Sequence, residues 1–335
     1  MNFSKKTKFP GGLAVVVICL LLMVTGCARL AEETATLALK FTPEDLTTYR
    51  LTTEEQQTLK FEGSLSGDSE FEGGSNRNRI EMTFTQQIQS INNRGNAVTK
   101  ITIKELKCSS VHKDNLVLDL DSSRAKDPNN PLSRIIGQSY TIEITPAGQV
   151  RRVIDTRGVR AASRVRFPSS KAAVRTAVKL LSLDSIKQRH TILALPAADK
   201  KQLRPGDSWS RLKVFSFPVV GPKSYERIYT LKEIEDTDGR QIAAVEMNAI
   251  PTSKIAEKLH KEQVAAALAK MFDNPIDSYT GQLKLNLTTG KVEKYLEKLQ
   301  SEWVVVDPSV RQQGDKEPDA IRMGAIRLHR LEKID

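Results

Sequence analysis

The sequence predicts a mainly β protein of the α+β class, made of duplicated antiparallel sheet units with two amphipathic helices. Three observations carry that expectation. Apolar residues alternate with polar ones over most of the chain after Thr36, the period of strands with one buried face. Clusters of Gly, Pro, Asn and Asp punctuate the runs. The order of runs and turns in the second half repeats that of the first.

Taken in order, Leu37, Leu39 and Phe41 alternate, Thr42-Pro43-Glu44-Asp45 makes a turn, and Tyr49, Leu51, Leu59 and Phe61 continue, which predicts an opening hairpin. Ile80, Met82 and Phe84 lead through Asn92-Asn93-Arg94-Gly95 to Ile101 and Ile103; Leu116, Leu118 and Leu120 form another strand; Asp127 to Pro131 is a loop. Tyr140, Ile142 and Ile144 lead through Thr145-Pro146-Ala147-Gly148 to Val150 and Val153. In the second half, Tyr229 and Leu231 lead through Asp236 to Gly239 into Val245 and Met247, the counterparts of Ile101 and Ile103. Leu283, Leu285 and Leu287 then lead through Gly290 to Val292, as Tyr140 to Ile144 led through Gly148 to Val150. The spacing between turn glycines is 53 residues in one copy and 51 in the other. One helix starts at Ser169 or Ser170, with Val174, Ala177, Val178 and Leu181 as its apolar stripe and Lys171, Arg175 and Lys179 on another face at i, i+4 spacing. The second runs over 253–272 and stops at Asn274-Pro275. The predicted divisions are a first β unit over 36–157, a basic helical connector over 158–204, a second β unit over 205–306, and a polar loop with a C-terminal strand over 307–335. The two halves can form one curved, open barrel with helices across its mouth.

Residues 1–26 carry a different message. Lys5, Lys6 and Lys8 precede 12 uninterrupted apolar residues, Leu13 to Val24, the layout of a secretory signal and too short for a spanning helix of about 20 residues. Val24-Thr25-Gly26-Cys27 resembles the bacterial lipobox. The resemblance implies that Cys27 takes a diacylglyceryl group and becomes the N-terminus, with 27–35 as a tether to the membrane. Two or three acyl chains hold a protein permanently, at about 0.8 kcal/mol per buried CH2. In resembling lipoproteins an Asp after the Cys retains the protein in the inner membrane; here Ala28 stands there, which implies the outer membrane of the cell envelope if the cell has one. Ala28 to Ala35 spans at most about 28 Å.

Charge is uneven. The leader holds three of the 51 basic residues and none of the 40 acidic ones, so residues 27–335 carry a net +8, while 151–190 alone, with 8 Arg and 3 Lys against Asp155 and Asp184, carries +9. With Cys19 in the leader and Cys27 lipidated, Cys108 stands alone and an internal disulfide is excluded. It is expected to be a buried apolar residue.

The lipobox, Leu120-Asp121-Ser122-Ser123, Tyr140 to Val150, Leu195-Pro196 leading to Pro205-Gly206-Asp207-Ser208-Trp209, and Tyr229 to Glu246 together resemble a family of bacterial lipoproteins with a β-rich domain of unassigned chemistry. The resemblance covers most of the chain after the leader and implies location and fold style only.

Catalytic motifs fail on their partners. Gly206-Asp207-Ser208 resembles the nucleophile block of Gly-Asp-Ser-Leu esterases, but Pro205 and Trp209 flank it and Ile326 stands three residues before His329, where that pattern needs Asp. Cys108 and His112 sit four residues apart at a strand end, a weak basis for a thiol and its base. The four His, at 112, 190, 260 and 329, lack zinc-ligand spacing. Asp119, Asp121 and Ser123 mimic a calcium loop, but Arg124 replaces its Gly and Asn130 its bidentate Glu. No metal or cofactor is expected. A basic stripe without interleaved aromatics in an exported protein argues against nucleic acid. What is left is a non-catalytic, envelope-anchored lipoprotein that binds a hydrophobic or lipid ligand, a structural or assembly lipoprotein that uses Lys171, Arg175 and Lys179 on an anionic surface or acidic partner, or an unrecognised hydrolase.

Overall fold

The computed structural model describes residues 34–63, 73–124, 130–164, 170–197, 202–217, 220–252, 273–306 and 320–334. The chain divides at Thr34, and residues 35–335 form the unit that carries the fold. The leader, Cys27, Ser169 and the expected helix 253–272 lie outside the described residues.

Among the described residues twelve strands form one antiparallel sheet: β1 (Leu46–Glu62), β2 (Gly74–Ile91), β3 (Ala97–His112), β4 (Asn115–Asp121), β5 (Ser139–Ile144), β6 (Val150–Asp155), β7 (Ser208–Phe217), β8 (Gly221–Thr237), β9 (Arg240–Thr252), β10 (Asp273–Asn286), β11 (Lys291–Val306) and β12 (Ala320–Lys333). The spatial order is β6-β5-β3-β2-β1-β12-β11-β10-β9-β8-β7, with β4 paired to the far end of β3. Four short helices are described, α1 (Pro131–Arg134), α2 (Arg157–Ser163), α3 (Lys171–Leu180) and α4 (Leu183–His190). The mainly β reading therefore holds.

The sheet is open, because its edges β6 and β7 do not pair with each other. It is also strongly curved. Laid flat, eleven strands about 4.8 Å apart would separate those edges by about 48 Å. Yet the short run Thr191–Leu195 touches both ends: the Val150 amide donates to Thr191 Oγ1 at 3.3 Å, the Ile192 amide to the Gly148 carbonyl at 2.8 Å, and Arg211 Nη2 on β7 to the Leu195 carbonyl at 2.8 Å. The inner face of this curve holds one continuous apolar cluster, including Leu51, Met82, Phe84, Ile101, Ile103, Leu231, Val245, Leu283 and Leu299.

The two aligned runs share their pairing. Ile101 faces Tyr140 across β3 and β5, and Val245 faces Leu283 across β9 and β10. The register of the next pair slips after Glu143 in one copy and after Lys284 in the other. The opening hairpin, however, does not form. Residues 36–41 make no ladder; Leu37, Leu39 and Phe41 pack on the core, and the Leu39 and Lys40 amides donate to the carbonyls of Pro146 and Gly290. The segment ties together the two equivalent turns, and the Thr42–Asp45 turn then starts β1 as a 17-residue strand.

Helix α3 corrects a second expectation. Its buried residues are Ala173, Ala177 and Leu180, while Val174 and Val178 are 40% and 69% exposed. The stripe is rotated by about one residue because two alanines let the helix approach its support closely, and Leu181 is buried after the helix ends. Ser170 stands at the N-cap but its hydroxyl makes no capping bond.

Candidate binding cleft

The inner face of the second half is aromatic and polar. On β8 the inward residues are Tyr225, Arg227 and Tyr229, on β10 Asp277 and Tyr279, and on β11 Tyr295, Glu297, Ser301 and Trp303. Charged residues here occupy positions where period-two alternation would place apolar ones, and each has partners within the face, although the buried Arg227 Nε finds none among the described residues. Glu297 accepts from Tyr279 Oη at 2.7 Å, Tyr229 Oη at 3.3 Å, Arg227 Nη1 at 3.2 Å and the Tyr295 hydroxyl. Burial pushes the pKa of all three phenols up, and the Glu297 carboxylate adds to that shift. Burial works against the charge of Arg227, but Glu297 together with Tyr229, Tyr279 and Tyr295 raises its pKa. Asp277 accepts from Lys223 Nζ at 2.8 Å, Tyr225 Oη at 2.8 Å and Ser301 Oγ at 2.7 Å. Such networks persist because an uncompensated buried charge costs about 3–5 kcal/mol.

Between this face and helices α3 and α4 lies a cleft of about 410 Å³, within the roughly 300–1,000 Å³ range of ligand sites. Strands supply Thr53, Phe215, Tyr279, Tyr295, Leu299 and His329; the helices supply Leu180 and Arg189. Helix α4 is positioned by its own cap, Ser182 Oγ accepting from the Ser185 amide at 3.2 Å, and by two buried side chains at its end. Arg189 Nη2 donates to the Leu180 carbonyl at 2.6 Å, and His190 Nε2 lies 2.6 Å from the Tyr140 hydroxyl. Burial, with Arg189 adding, holds the pKa of His190 well below its ordinary value. Burial also brings His329 down to about 4, Glu297 opposing and Arg189 and Lys213 assisting.

The residues singled out in the sequence fall elsewhere. Lys171, Arg175 and Lys179 are exposed on α3; Lys179 Nζ reaches Glu55 on β1 at 2.8 Å, at the rim of the cleft, so it docks the helix as well as facing solvent. Ser208 Oγ lies 2.8 Å from Thr230 Oγ1 at the start of β7. Cys108 is buried and its thiol is pushed up to about 12 by burial, while His112 is exposed at the end of β3. Arg124 clamps Asp119 through two bonds, 2.8 and 3.0 Å, and Asp121 accepts from Ser123. Among the described residues no group of three or more His, Cys, Asp or Glu is arranged to hold a metal, and no helix is long and apolar enough to cross a membrane.

Sequence reading missed Arg189, Lys213, Glu297, Arg327 and His329 as cleft residues. For the four strand residues the signal was present as polar groups at inward positions, with Lys213 before Phe215 and Glu297 between Tyr295 and Leu299; Arg189, on α4, gave none.

Fold and cleft together define a class, an open, curved antiparallel sheet whose helix-covered inner face retains a ligand-sized space. No family model and no curated protein matches the chain. Among solved structures it is similar to one titled for lipid–protein interactions in lipovitellin, at 12% identity and TM-score 0.42, over 88% of this chain and 26% of that one. The open-gate Salmonella type III secretion secretin InvG (residues 176 to the end) overlaps at 8% identity and TM-score 0.18, over 97% of this chain and 66% of that one. The chain thus spans about a quarter of the lipovitellin chain. Neither overlap is close enough to set fold or function.

Proposed function

We propose that this chain is a lipoprotein of the family it resembles, held in the cell envelope through lipid on Cys27, that binds a hydrophobic or lipid ligand in its inner cleft and catalyses no reaction. The observation that supports this reading most is the cleft itself. A sheet that could have filled its interior leaves about 410 Å³ beside Phe215, Tyr279 and Leu299, and apolar surface of that kind gains about 25 cal/mol per Å² when a ligand covers it. Protein extracted from its membrane and freed of detergent should release an apolar molecule to organic solvent, seen by mass spectrometry. Thr53→Trp, which projects into the cleft from β1, should lose that molecule while keeping the fold. Recovery of nothing from the wild type, or of equal amounts from both proteins, would remove the reading.

A second contact is favoured by the outward face of α3, where exposed Val174 and Val178 adjoin Lys171 and Arg175. Exposed β-branched residues beside cations suit an anionic membrane surface.

A further inference from the structure

The cleft has an unbalanced charge. Its three carboxylates are all neutralised: Glu54 by Arg77 at 2.9 Å and Arg79 at 3.0 Å, Glu55 by Lys179 at 2.8 Å, and Glu297 by Arg227 at 3.2 Å with its three tyrosines. The cations are not. Lys187, Arg189, Lys213 and Arg327 also line the cleft, and none forms an ion pair with a carboxylate among the described residues. Arg189 is 7% exposed and among the described residues has the Leu180 carbonyl and, at 3.4 Å, the Tyr140 hydroxyl as hydrogen-bond partners. Arg327 donates to the Ser216 carbonyl at 3.1 Å and stacks 4.9 Å from the Phe215 ring centre, while Lys213 Nζ lies 5.5 Å from the same ring. His329 lines the same space, and its buried Nε2 has no hydrogen-bond partner among the described residues.

We infer that the cleft takes an amphiphile with an anionic head, its carboxylate or phosphate held among Arg189, Lys213, Arg327 and His329 and its acyl chain against Phe215, Leu299 and Leu180. This rests on the cleft-binding reading above and names the ligand class. Arg189 is buried and Lys213 and Arg327 are half-buried, and cations so placed without an ion pair carry a desolvation cost that an incoming anion offsets. Burial, reinforced by Arg227 and Arg327 and only in part opposed by Glu297, lowers the pKa of Lys213, and a bound anion would act against that shift. Phe215 has a cation within 6 Å of its ring centre from each of two strands, which places two of the head-binding groups side by side.

The test uses the intact chain in its membrane and two photoreactive probes, a diazirine-bearing fatty acid and its uncharged methyl ester, with labelled peptides mapped by mass spectrometry. The acid should label peptides of β7, β12 and α4 at least tenfold more than the ester. Lys213→Gln and Arg327→Gln should each lower acid labelling about tenfold, as expected for losing a charge-assisted bond, and leave ester labelling unchanged. Lys213→Arg should retain acid labelling, and unchanged ester labelling shows that a variant is folded. Equal labelling by acid and ester would overturn the anionic head while leaving cleft binding intact. Displacement of the acid by inorganic phosphate alone would make the site a small-oxyanion site and overturn the amphiphile. Absence of cleft labelling by either probe would remove the binding reading itself.

Discussion

At the residue scale, four turn glycines provide a graded measure of the fold. Gly95, Gly148, Gly239 and Gly290 all have positive φ, between 67° and 74°, so alanine costs about 1–2 kcal/mol at each from the left-handed backbone alone. Their surroundings separate them. A Cβ at Gly239 meets nothing within 4 Å and at Gly95 only Pro146 Cγ at 3.9 Å, but at Gly148 it meets Leu195 Cδ1 at 2.8 Å and at Gly290 the Lys40 amide nitrogen at 2.2 Å. Gly148→Ala and Gly290→Ala should therefore lose roughly 3 kcal/mol or more, and the other two no more than about 2, in denaturant unfolding. Equal losses at all four would show that Leu195 does not pack on Gly148, nor Lys40 on Gly290, as described. Two histidines set a pH limit. His190 and His329 both have pKa values depressed by burial, the latter to about 4 against an ordinary 6.5. Protons then bind the unfolded chain more readily than the folded one between those values, so stability is full above about pH 6.5 and falls as pH drops toward 4. For His329 alone the loss approaches about 3 kcal/mol. Melting temperatures measured from pH 7 to pH 4 should decline in the wild type and less steeply in His329→Gln.

At the element scale, strands were legible and their partners were not. The alternation of Ile80, Met82 and Phe84, or of Leu283 and Leu285, marks a strand because one face is buried, and the Asn-Asn-Arg-Gly and Asp-Thr-Asp-Gly turns fix the adjacent returns. Leu37, Leu39 and Phe41 gave the same alternation and form no strand, since packing a segment over two turns buries every second residue just as a ladder does. Helix α2 and helix α4 went unread because 7 and 8 residues give barely two turns of periodicity. The cleft was hidden because it depends on which strands face α3 and α4, information carried by long-range pairing. Helix α3 itself yields a test of the surface contact. In a chain carrying Cys27→Ala, Lys171→Glu with Arg175→Glu should abolish salt-sensitive binding to anionic vesicles, at about 1 kcal/mol per cation, whereas Lys179→Glu should instead loosen the helix from Glu55. Equal vesicle binding by all three proteins would leave α3 as a solvated surface helix.

At the scale of the molecule, the anchor expectation has a direct assay. Cys27→Ala should move the protein from the membrane fraction to the soluble fraction with its thermal melt unchanged; full retention in membranes after a wash that strips peripheral proteins would count against lipidation at Cys27. The seam of the sheet carries a further consequence. Strand β1 is held on one side by β12, in an unbroken register from Tyr49 with Lys333 to Glu62 with Ala320, so the middle of the sheet joins residues up to 284 positions apart. The edges, β6 and β7, come from the middle of the chain. As the chain emerges from a ribosome, the first half is complete while β1 still presents an open row of amides and carbonyls, and β12, the last of the described strands, is the one that covers it. Until then the nascent protein has the exposed edge that invites pairing with another copy, and a chaperone that shields β1 during synthesis would meet the need this topology creates.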